Sequence, residues 1–337
     1  MKGTRATITL LFCVAVALGG ACPLLAGPQK EGLVKYTAAS IPKFKAAWFD
    51  RMEVGLRKAG ADFGVNVSQK APSPADVNEQ ASLIEDAINQ NNDAILVVPD
   101  DPKSIESALA RARAKKIVTI THQSPRQAYA DYDIEMIDNT TFGQLAMEEM
   151  ATEMGSPVGE YAVYVGSFTA ADHNTWADAA IALARQKYPG LKLVGERFPV
   201  SEDLSLSRQT TLDVIAANPD IKAFLAFGSQ GGPGIAQVLR EKGLIGTVTN
   251  IGTTGPREAS QYLKDGSFSA SVVWDPAEAG YAMVFLARLV LDGKKSIIGP
   301  DLEIPGMGKP LSFAGNTFVY NRPIVLTKDN VDDYSGF

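Results

Sequence analysis

Cysteine and histidine are scarce in this chain. The only cysteines, Cys13 and Cys22, lie near the N-terminus, and the only histidines are His122 and His173. A zinc site needs three or four well-placed cysteine, histidine or carboxylate ligands, and no spacing in the sequence supplies such a set. The sequence therefore predicts no metal site and, beyond residue 26, no disulfide and no reactive thiol.

An excess of positive charge is also missing. Lys and Arg number 32 against 38 Asp and Glu, which gives a formal net charge of −6. Proteins that bind nucleic acid or anionic membrane surfaces concentrate positive charge. The charge balance therefore argues against DNA, RNA and anionic lipid as partners.

Long apolar runs are absent after the first 26 residues, so the sequence predicts no membrane-spanning helix there. Near the start, Lys2 and Arg5 precede an apolar run at 8–21, and small residues lead to Ala26. This order is typical of a secretory signal peptide. We expect residues 1–26 to be cleaved near Ala26 and the rest of the chain to be exported.

Two alternatives to a cleaved signal peptide remain. An uncleaved membrane anchor would need a longer apolar run, and glycines at 19 and 20 interrupt this one. Lipid attachment at Cys22 would fit the small residues before it, although Gly19 stands where a lipobox normally has leucine. A mature chain without cysteine also suits an oxidising compartment, because it cannot form wrong disulfides.

Short β-rich runs alternate with helical periodicity from residue 33 onward. Residues 77–88, for example, carry apolar side chains at the spacing of one helix face. Strands that alternate with helices of this length form parallel sheets with helices on both faces. The series occurs twice, so we predict an α/β protein with two doubly wound parallel-sheet lobes. The predicted strands are 33–39, 65–69, 94–99, 117–122, 160–166, 191–197, 222–228, 248–252 and 268–274.

The chain changes character after a long predicted helix at about 277–292. Residues 296–337 are rich in proline and glycine, which is typical of an extended tail that crosses between the lobes. We expect an N-terminal lobe of residues 27–124 plus about 276–308. The C-terminal lobe would then comprise residues 125–275 plus about 309–337.

Several predicted strands end in polar or glycine-rich turns. In open α/β sheets, ligands bind beyond the carboxyl ends of the strands, and junctions between lobes are favoured places for small-molecule sites. We therefore expect a binding cleft where the two lobes face each other. The turns in question are 99–102, 122–125, 166–168, 228–232 and 252–255.

Six segments carry a resemblance to a known family. They are residues 40–43 (SIPK), 48–49 (WF), 89–95 (NQNNDAI), 172–176 (DHNTW), 274–276 (WDP) and 324–334. In this order they resemble type I periplasmic solute-binding proteins of ABC transporters, in particular the branch that binds autoinducer-2 and rhamnose. The resemblance implies two lobes on a multi-crossing hinge that close on a sugar-like ligand in the periplasm. It also implies delivery of that ligand to an ABC permease, without a cofactor and without chemistry.

The resemblance extends to individual ligand-binding positions. The autoinducer-2 binders have a lysine after Ile-Pro, which Lys43 matches, and an Asp-Gln pair that aligns with Asp172 and His173. They have an aspartate where this chain has Gln123, and a Pro-x-Ala turn where it has 227–229. These differences favour another small sugar, polyol or furanose, with autoinducer-2 as the alternative ligand.

A sugar-binding pocket needs aromatic rings for the C–H faces of the sugar and polar side chains for its hydroxyl groups. For each candidate a structural role is the alternative: core packing for the aromatics, helix capping for Asp172 and Asp275, and a solvated surface charge for Lys43. The predicted ligand-binding residues are Lys43, Trp48, Phe49, Gln123, Asp172, His173, Asn174, Trp176, Phe227, Ser229, Trp274 and Asp275.

Other classes of function find less support in the sequence. An exported sugar-active enzyme would need a paired acid and base, for which Asp172 and Asp275 are the candidates. The hydrolase motif Gly-x-Ser-x-Gly does not occur, and the glycine-rich segment 232–237 lacks the third glycine of a dinucleotide-binding fingerprint. A repressor would need a DNA-binding motif where residues 1–32 form the leader. The sequence thus predicts a monomeric binding protein and not an enzyme.

Overall fold

The computed structural model describes residues 34–334 and residue 337. The predicted signal peptide, its cleavage near Ala26 and the lipid-attachment alternative at Cys22 all lie outside the described residues. Among the described helices, none has the length and apolar character needed to span a membrane.

Strands and helices alternate along most of the described chain. The first elements are β1 (Tyr36–Ile41), α1 (Ala47–Phe63), β2 (Val65–Gln69), α2 (Val77–Asn89), β3 (Ala94–Val97), α3 (Glu106–Ala114), β4 (Val118–His122) and β5 (Tyr132–Glu135). They are followed by α4 (Asn139–Met154), β6 (Gly159–Val165), α5 (Ala171–Lys187), β7 (Leu191–Leu193), β8 (Phe198–Pro199), α6 (Leu204–Ala217), β9 (Ile221–Ala226), α7 (Gly231–Lys242), β10 (Thr249–Gly252), α8 (Pro256–Asp265) and β11 (Ala270–Val273). The last are α9 (Pro276–Leu291), β12 (Ser312–Ala314), β13 (Thr317–Val319) and β14 (Ile324–Leu326), with short 3₁₀ helices at Lys295–Ile297 and Val331–Tyr334.

The strands form two sheets, one in each lobe. The first sheet has the order β12-β13-β5-β4-β3-β1-β2, and the second has the order β14-β11-β10-β9-β6-β7, with β8 also paired to β6. Pairing is parallel except between β12 and β13 and between β11 and β14. The prediction of two doubly wound α/β lobes is therefore confirmed.

The sheets divide the chain differently from the predicted lobe boundaries. Strand β5 pairs with β4 and so belongs to the first sheet, although the boundary was expected at residue 124. Residues 312–319 were expected in the second lobe, but β13 pairs with β5 and extends the first sheet. The physical reason is the open edge of β5, which the tail covers with a further strand. Of the tail strands, only β14 joins the second sheet.

Three segments cross between the lobes. They connect β5 to α4 at 136–138, β11 to α9 at 274–275, and β13 to β14 at 320–323. Because α4 and α5 pack together on the second lobe while α9 packs on α1 in the first, each crossing joins two well-packed units. This arrangement is a multi-crossing hinge, as the family resemblance implied.

Small residues allow helices α1 and α9 to approach closely in the first lobe. A Cβ atom built on Gly55 would come within 1.8 Å of the Ala277 carbonyl oxygen. One built on Gly280 would come within 2.5 Å of the Met52 carbonyl oxygen. Neither position has room for a side chain, so both glycines are required for this helix pair to pack at the observed distance.

Candidate functional site

A small cavity lies between the lobes, at the carboxyl ends of the strands. Its volume of about 30 Å³ accommodates roughly two or three water molecules at about 10–15 Å³ each, so the lobes are nearly closed on each other. The first lobe and the crossing at 274–275 contribute Lys43, Phe44, Trp48, Phe49, Gln123 and Trp274. The second lobe contributes His173, Trp176, Glu202, Gly228, Ser229 and Thr253.

The three tryptophans of the chain all line this cavity. Trp48 and Trp274 pack edge to face with ring centroids 5.1 Å apart, and Trp274 contacts Trp176 in the same way at 5.7 Å. The indole Nε1 of Trp176 donates a hydrogen bond to Asn139 Oδ1 at 2.6 Å, which fixes the orientation of the ring. The cavity therefore has aromatic walls that come from both lobes.

His173 presents one N–H group toward the cavity. The Gly166 backbone N–H donates to His173 Nδ1 at 3.1 Å, so Nδ1 carries no hydrogen. Burial lowers the pKa of His173 well below its ordinary value, and the positive charge of Lys43 lowers it further. The ring is therefore neutral with its hydrogen on Nε2, which lies 3.7 Å from Glu202 Oε1. Stacking on Trp176, with centroids 5.0 Å apart, holds the imidazole plane.

Glu202 is a cavity residue that the sequence analysis missed. Its Oε2 accepts hydrogen bonds from the Ser229 backbone N–H at 3.1 Å and from Ser229 Oγ at 2.9 Å. Burial raises the pKa of Glu202, while Lys43 and the Ser229 hydrogen bonds act in the opposite direction. The position of Glu202 shortly after a strand could have marked it as a candidate. That strand, β8, was not predicted, because it has only two residues and lies just beyond the predicted strand 191–197.

Lys43 and Gln123 are the cavity side chains with unused hydrogen-bonding capacity. Lys43 is only 6% exposed, yet within the described residues its ammonium group makes no hydrogen bond and no ion pair. The amide of Gln123 likewise has no hydrogen-bond partner in the part of the chain that the structure describes. Gln123 also adopts a positive φ of 58°, a conformation that is uncommon for residues other than glycine and is often found at functional sites. Both side chains can therefore form hydrogen bonds with a ligand in the cavity.

Two predicted residues near Trp176 lie beside the cavity without lining it. Asp172 is buried in the first turn of α5, where Oδ1 accepts a hydrogen bond from Asn139 Nδ2 at 3.1 Å. Asn174 uses its amide within the same turn, donating to the Ser167 and Ala170 carbonyl oxygens at 2.9 and 2.8 Å. These contacts hold the start of α5.

Two further predicted residues also have structural contacts outside the cavity. Phe227 is fully buried and packs edge to face on Trp176 at 5.8 Å. Asp275 caps α9 by accepting from the Ala277 N–H at 2.8 Å, and it pairs with Arg51 at 2.6 Å. Helix capping was the alternative considered for Asp275, and its geometry here is that of a cap.

The remaining cavity residues that sequence reasoning missed are Phe44, Gly228 and Thr253. The turns that contain Gly228 and Thr253 were expected to line the cleft, but no side chain in them was singled out except Ser229. Thr253 Oγ1 accepts a hydrogen bond from the Gly228 N–H at 2.7 Å, which joins these two turns. That contact depends on the pairing of β9 with β10 and is not visible in the sequence.

Larger grooves occur on the surface near the hinge. Two of them, of about 520 and 480 Å³, lie on either side of Arg51. Several of their charged residues already form ion pairs, as in the contacts of Arg51 with Asp275 and of Arg322 with Glu278. The interlobe cavity is smaller but combines aromatic walls with free polar groups, which makes it the better candidate for a small-molecule site.

Residues 38–295 match the family model described as a periplasmic binding protein domain. The chain belongs to this family. Its curated relatives include the D-allose-binding periplasmic protein of Escherichia coli K12, 27% identical over 257 residues (74% of this chain and 81% of the relative). They also include the ribose import binding protein RbsB of Bacillus subtilis, 24% identical over 300 residues (87% of this chain and 94% of the relative).

Solved structures share the fold across most of the chain. LsrB from Clostridium saccharobutylicum in complex with AI-2 superposes with a TM-score of 0.83 at 22% identity, covering 89% of this chain and 99% of that one. An ABC transporter solute-binding protein from Clostridium phytofermentas with bound L-rhamnose gives 0.82 at 22% identity, covering 90% and 99%. These structures confirm the predicted type I fold, and the family model confirms the predicted membership of the periplasmic binding protein family.

Proposed function

We propose that this protein is the periplasmic solute-binding component of an ABC importer and that it closes on one small neutral sugar or polyol without transforming it. The observation that carries the proposal is the interlobe cavity. There, three tryptophans surround the free polar groups of Lys43 and Gln123, the Nε2–H of His173 and the carboxylate of Glu202. Aromatic faces suit the C–H surface of a sugar, and the mixture of donors and acceptors suits its hydroxyl groups.

The charges around the cavity favour a neutral ligand. Lys43 supplies one positive charge, and Glu202 supplies a carboxylate on the opposite lobe. An acidic sugar would be repelled by Glu202 and a basic one by Lys43, whereas a hydroxyl group can accept a hydrogen bond from the Lys43 ammonium and donate one to the Glu202 carboxylate. A cavity with room for two or three water molecules excludes an oligosaccharide, and even a single ring or a short polyol requires the lobes to move apart to admit it.

Autoinducer-2 remains the second candidate ligand, because LsrB shares the fold. Against it, Gln123 and Ser229 occupy positions where the autoinducer-2 binders have other residues. The hypothesis of a sugar-active enzyme is less well supported, because neither residue of its proposed acid–base pair, Asp172 and Asp275, lines the cavity. Family membership supports the periplasmic location and the permease partner. We expect the protein to be a monomer.

A thermal-shift screen of the mature chain tests the function. The panel contains D-allose, D-ribose, L-rhamnose, D-arabinose, xylitol and autoinducer-2. A ligand at about 100 times its Kd stabilises the folded state by about 2.7 kcal/mol, which raises the Tm of a chain of this size by about 4 °C. We expect one sugar or polyol to do so and to be recovered unchanged. Turnover of the sugar, or a response to autoinducer-2 alone, would contradict the proposal.

A further inference from the structure

Three carboxyl groups meet at the hinge, behind the sugar cavity. Asp133 and Glu135 belong to β5, Asp172 belongs to α5, and all three are at most 3% exposed. Asp133 Oδ1 accepts from Thr121 Oγ1 at 2.7 Å, and Asp172 Oδ1 accepts from Asn139 Nδ2 at 3.1 Å. The carboxyl group of Glu135 lies between the two aspartates within hydrogen-bonding distance of both.

The remaining oxygens of this cluster require a proton. Asp133 Oδ2, Glu135 Oε1 and Asp172 Oδ2 are buried and receive no hydrogen bond from the ordinary donors of the described residues. None of the three carboxyl groups has a cation within ion-pair distance in that part of the chain. Two carboxylates cannot hydrogen-bond to each other, because both only accept; one of them must be protonated to donate.

The ionisation behaviour of the cluster agrees with this geometry. Burial raises the pKa of Asp172 to about 6 and that of Asp133 to about 7. Burial and the charges of both aspartates raise the pKa of Glu135 well above its usual range. Glu135 is therefore the member that keeps its proton as the pH rises.

The other titratable groups that face the cluster do not supply this proton near neutral pH. Lys43, in the loop after β1, opposes the rise in the pKa of Asp172 by its positive charge. His122 on β4 and His173 on α5 are buried, and burial lowers their pKa values, that of His122 to about 4. The hydroxyl of Tyr320, on the tail crossing, has its pKa raised by burial and stays protonated.

The contact between Glu135 and Asp172 spans the two lobes. Strand β5 lies in the first sheet just before the crossing at 136–138, whereas α5 packs in the second lobe. Opening of the hinge would separate the two groups and hydrate them. We propose that Glu135 and Asp172 share a proton that holds the lobes together, so that closure takes up a proton and is favoured at lower pH. The device is independent of which ligand the cavity accepts.

Tryptophan fluorescence of the ligand-free mature protein tests this inference. All three tryptophans line the interlobe cavity, and both histidines stay neutral, so a change between about pH 6 and about pH 8 reports the carboxyl cluster. We expect a sigmoidal change in wild type and a parallel increase in the radius of gyration measured by small-angle scattering. The carboxylic-acid C=O band in the infrared spectrum should disappear over the same range.

Two variants remove the proton that is shared between the lobes, while Asp133 still titrates, and a third variant serves as a control. In Glu135→Gln, the amide donates to Asp172 at every pH, so the sigmoidal change should be lost and the radius of gyration should stay small. Asp172→Asn should lose the change as well, and it decides the matter if Glu135→Gln does not fold. Glu153→Gln makes the same chemical change at an exposed residue of α4 and should behave as wild type. A flat wild-type profile, or a wild-type profile in both hinge variants, overturns the inference while leaving sugar binding untouched.

Discussion

Lys43→Met should weaken ligand binding and at the same time stabilise the ligand-free protein. Lys43 is only 6% exposed, and its ammonium makes no hydrogen bond or ion pair in the described chain; withdrawal of a charged or polar group from water without a partner costs on the order of 1–3 kcal/mol. Methionine fills a similar volume without that cost. We therefore expect a gain of about 1–3 kcal/mol in the unfolding free energy of the variant.

The loss of affinity follows from the contact that Lys43 would make with a ligand oxygen. A hydrogen bond to a charged group contributes about 1.5–3 kcal/mol. At about 1.4 kcal/mol per factor of ten, the Kd should rise roughly 10- to 150-fold. Calorimetric titration with the sugar found in the screen measures the Kd, and urea denaturation without sugar measures stability.

A matched control separates this effect from the general loss of a lysine. Lys115→Met alters an exposed residue at the end of α3, so both the Kd and the unfolding free energy should stay near the wild-type values. The reasoning would be refuted if Lys43→Met bound the sugar with wild-type Kd, or if it were markedly less stable than wild type. The second result would mean that Lys43 has a stabilising partner in the folded protein.

Three further predictions concern packing, fluorescence and pH. Gly55→Ala should lower the unfolding free energy by about 1–3 kcal/mol in urea denaturation, because its Cβ would overlap the Ala277 carbonyl. Trp176→Phe should lose much of the sugar-induced change in tryptophan fluorescence. An unchanged fluorescence change would mean that the sugar does not bind next to Trp176. Stability should fall as pH rises from about 6.5 to about 8, since Asp133 and Glu135 have raised pKa values and hold protons that the unfolded chain releases; each such proton contributes about 1.4 kcal/mol per pH unit. Below about pH 6.5 the two histidines make stability rise with pH, because their pKa values are lowered in the folded state. If the stability of Glu135→Gln fell with pH as steeply as that of wild type, the assignment to Glu135 would be contradicted.

The sequence predicted those parts of the site that follow from local pattern. Parallel strands place their carboxyl-end loops together, so the alternation of strands and loops is enough to expect Gln123 and Ser229 near one cleft. Lys43 was predicted only from the family resemblance. The tryptophans were ambiguous, because the same side chain can pack in a core or face a ligand. Here Trp176 does both, being buried on Phe227 and lining the cavity.

What the sequence did not predict depends on contacts between distant segments. Strand β5 contains two acidic residues among four, so its composition resembles a polar loop. Their burial depends on the neighbouring strands β4 and β13, and β13 comes from the distant tail. In the same way, the tail joins the first sheet because β5 leaves an open edge, which is a property of the fold and not of residues 312–319 themselves.

The hinge and the cavity together account for how a ligand could drive closure. A ligand stabilises the closed state only through contacts that the open state lacks. Those contacts would come from Lys43 and Gln123 in the first lobe and from His173 and Glu202 in the second. Since each lobe alone offers half of the polar groups, a sugar gains its full set of hydrogen bonds only when the lobes meet.

A crystal structure of the mature protein with the sugar that gives the largest thermal shift tests the central claim most directly. We predict one sugar between the rings of Trp48, Trp176 and Trp274, with a hydroxyl oxygen within hydrogen-bonding distance of Lys43 and another near Glu202. Sugar bound in a groove beside Arg51, with the interlobe cavity empty, would contradict the account.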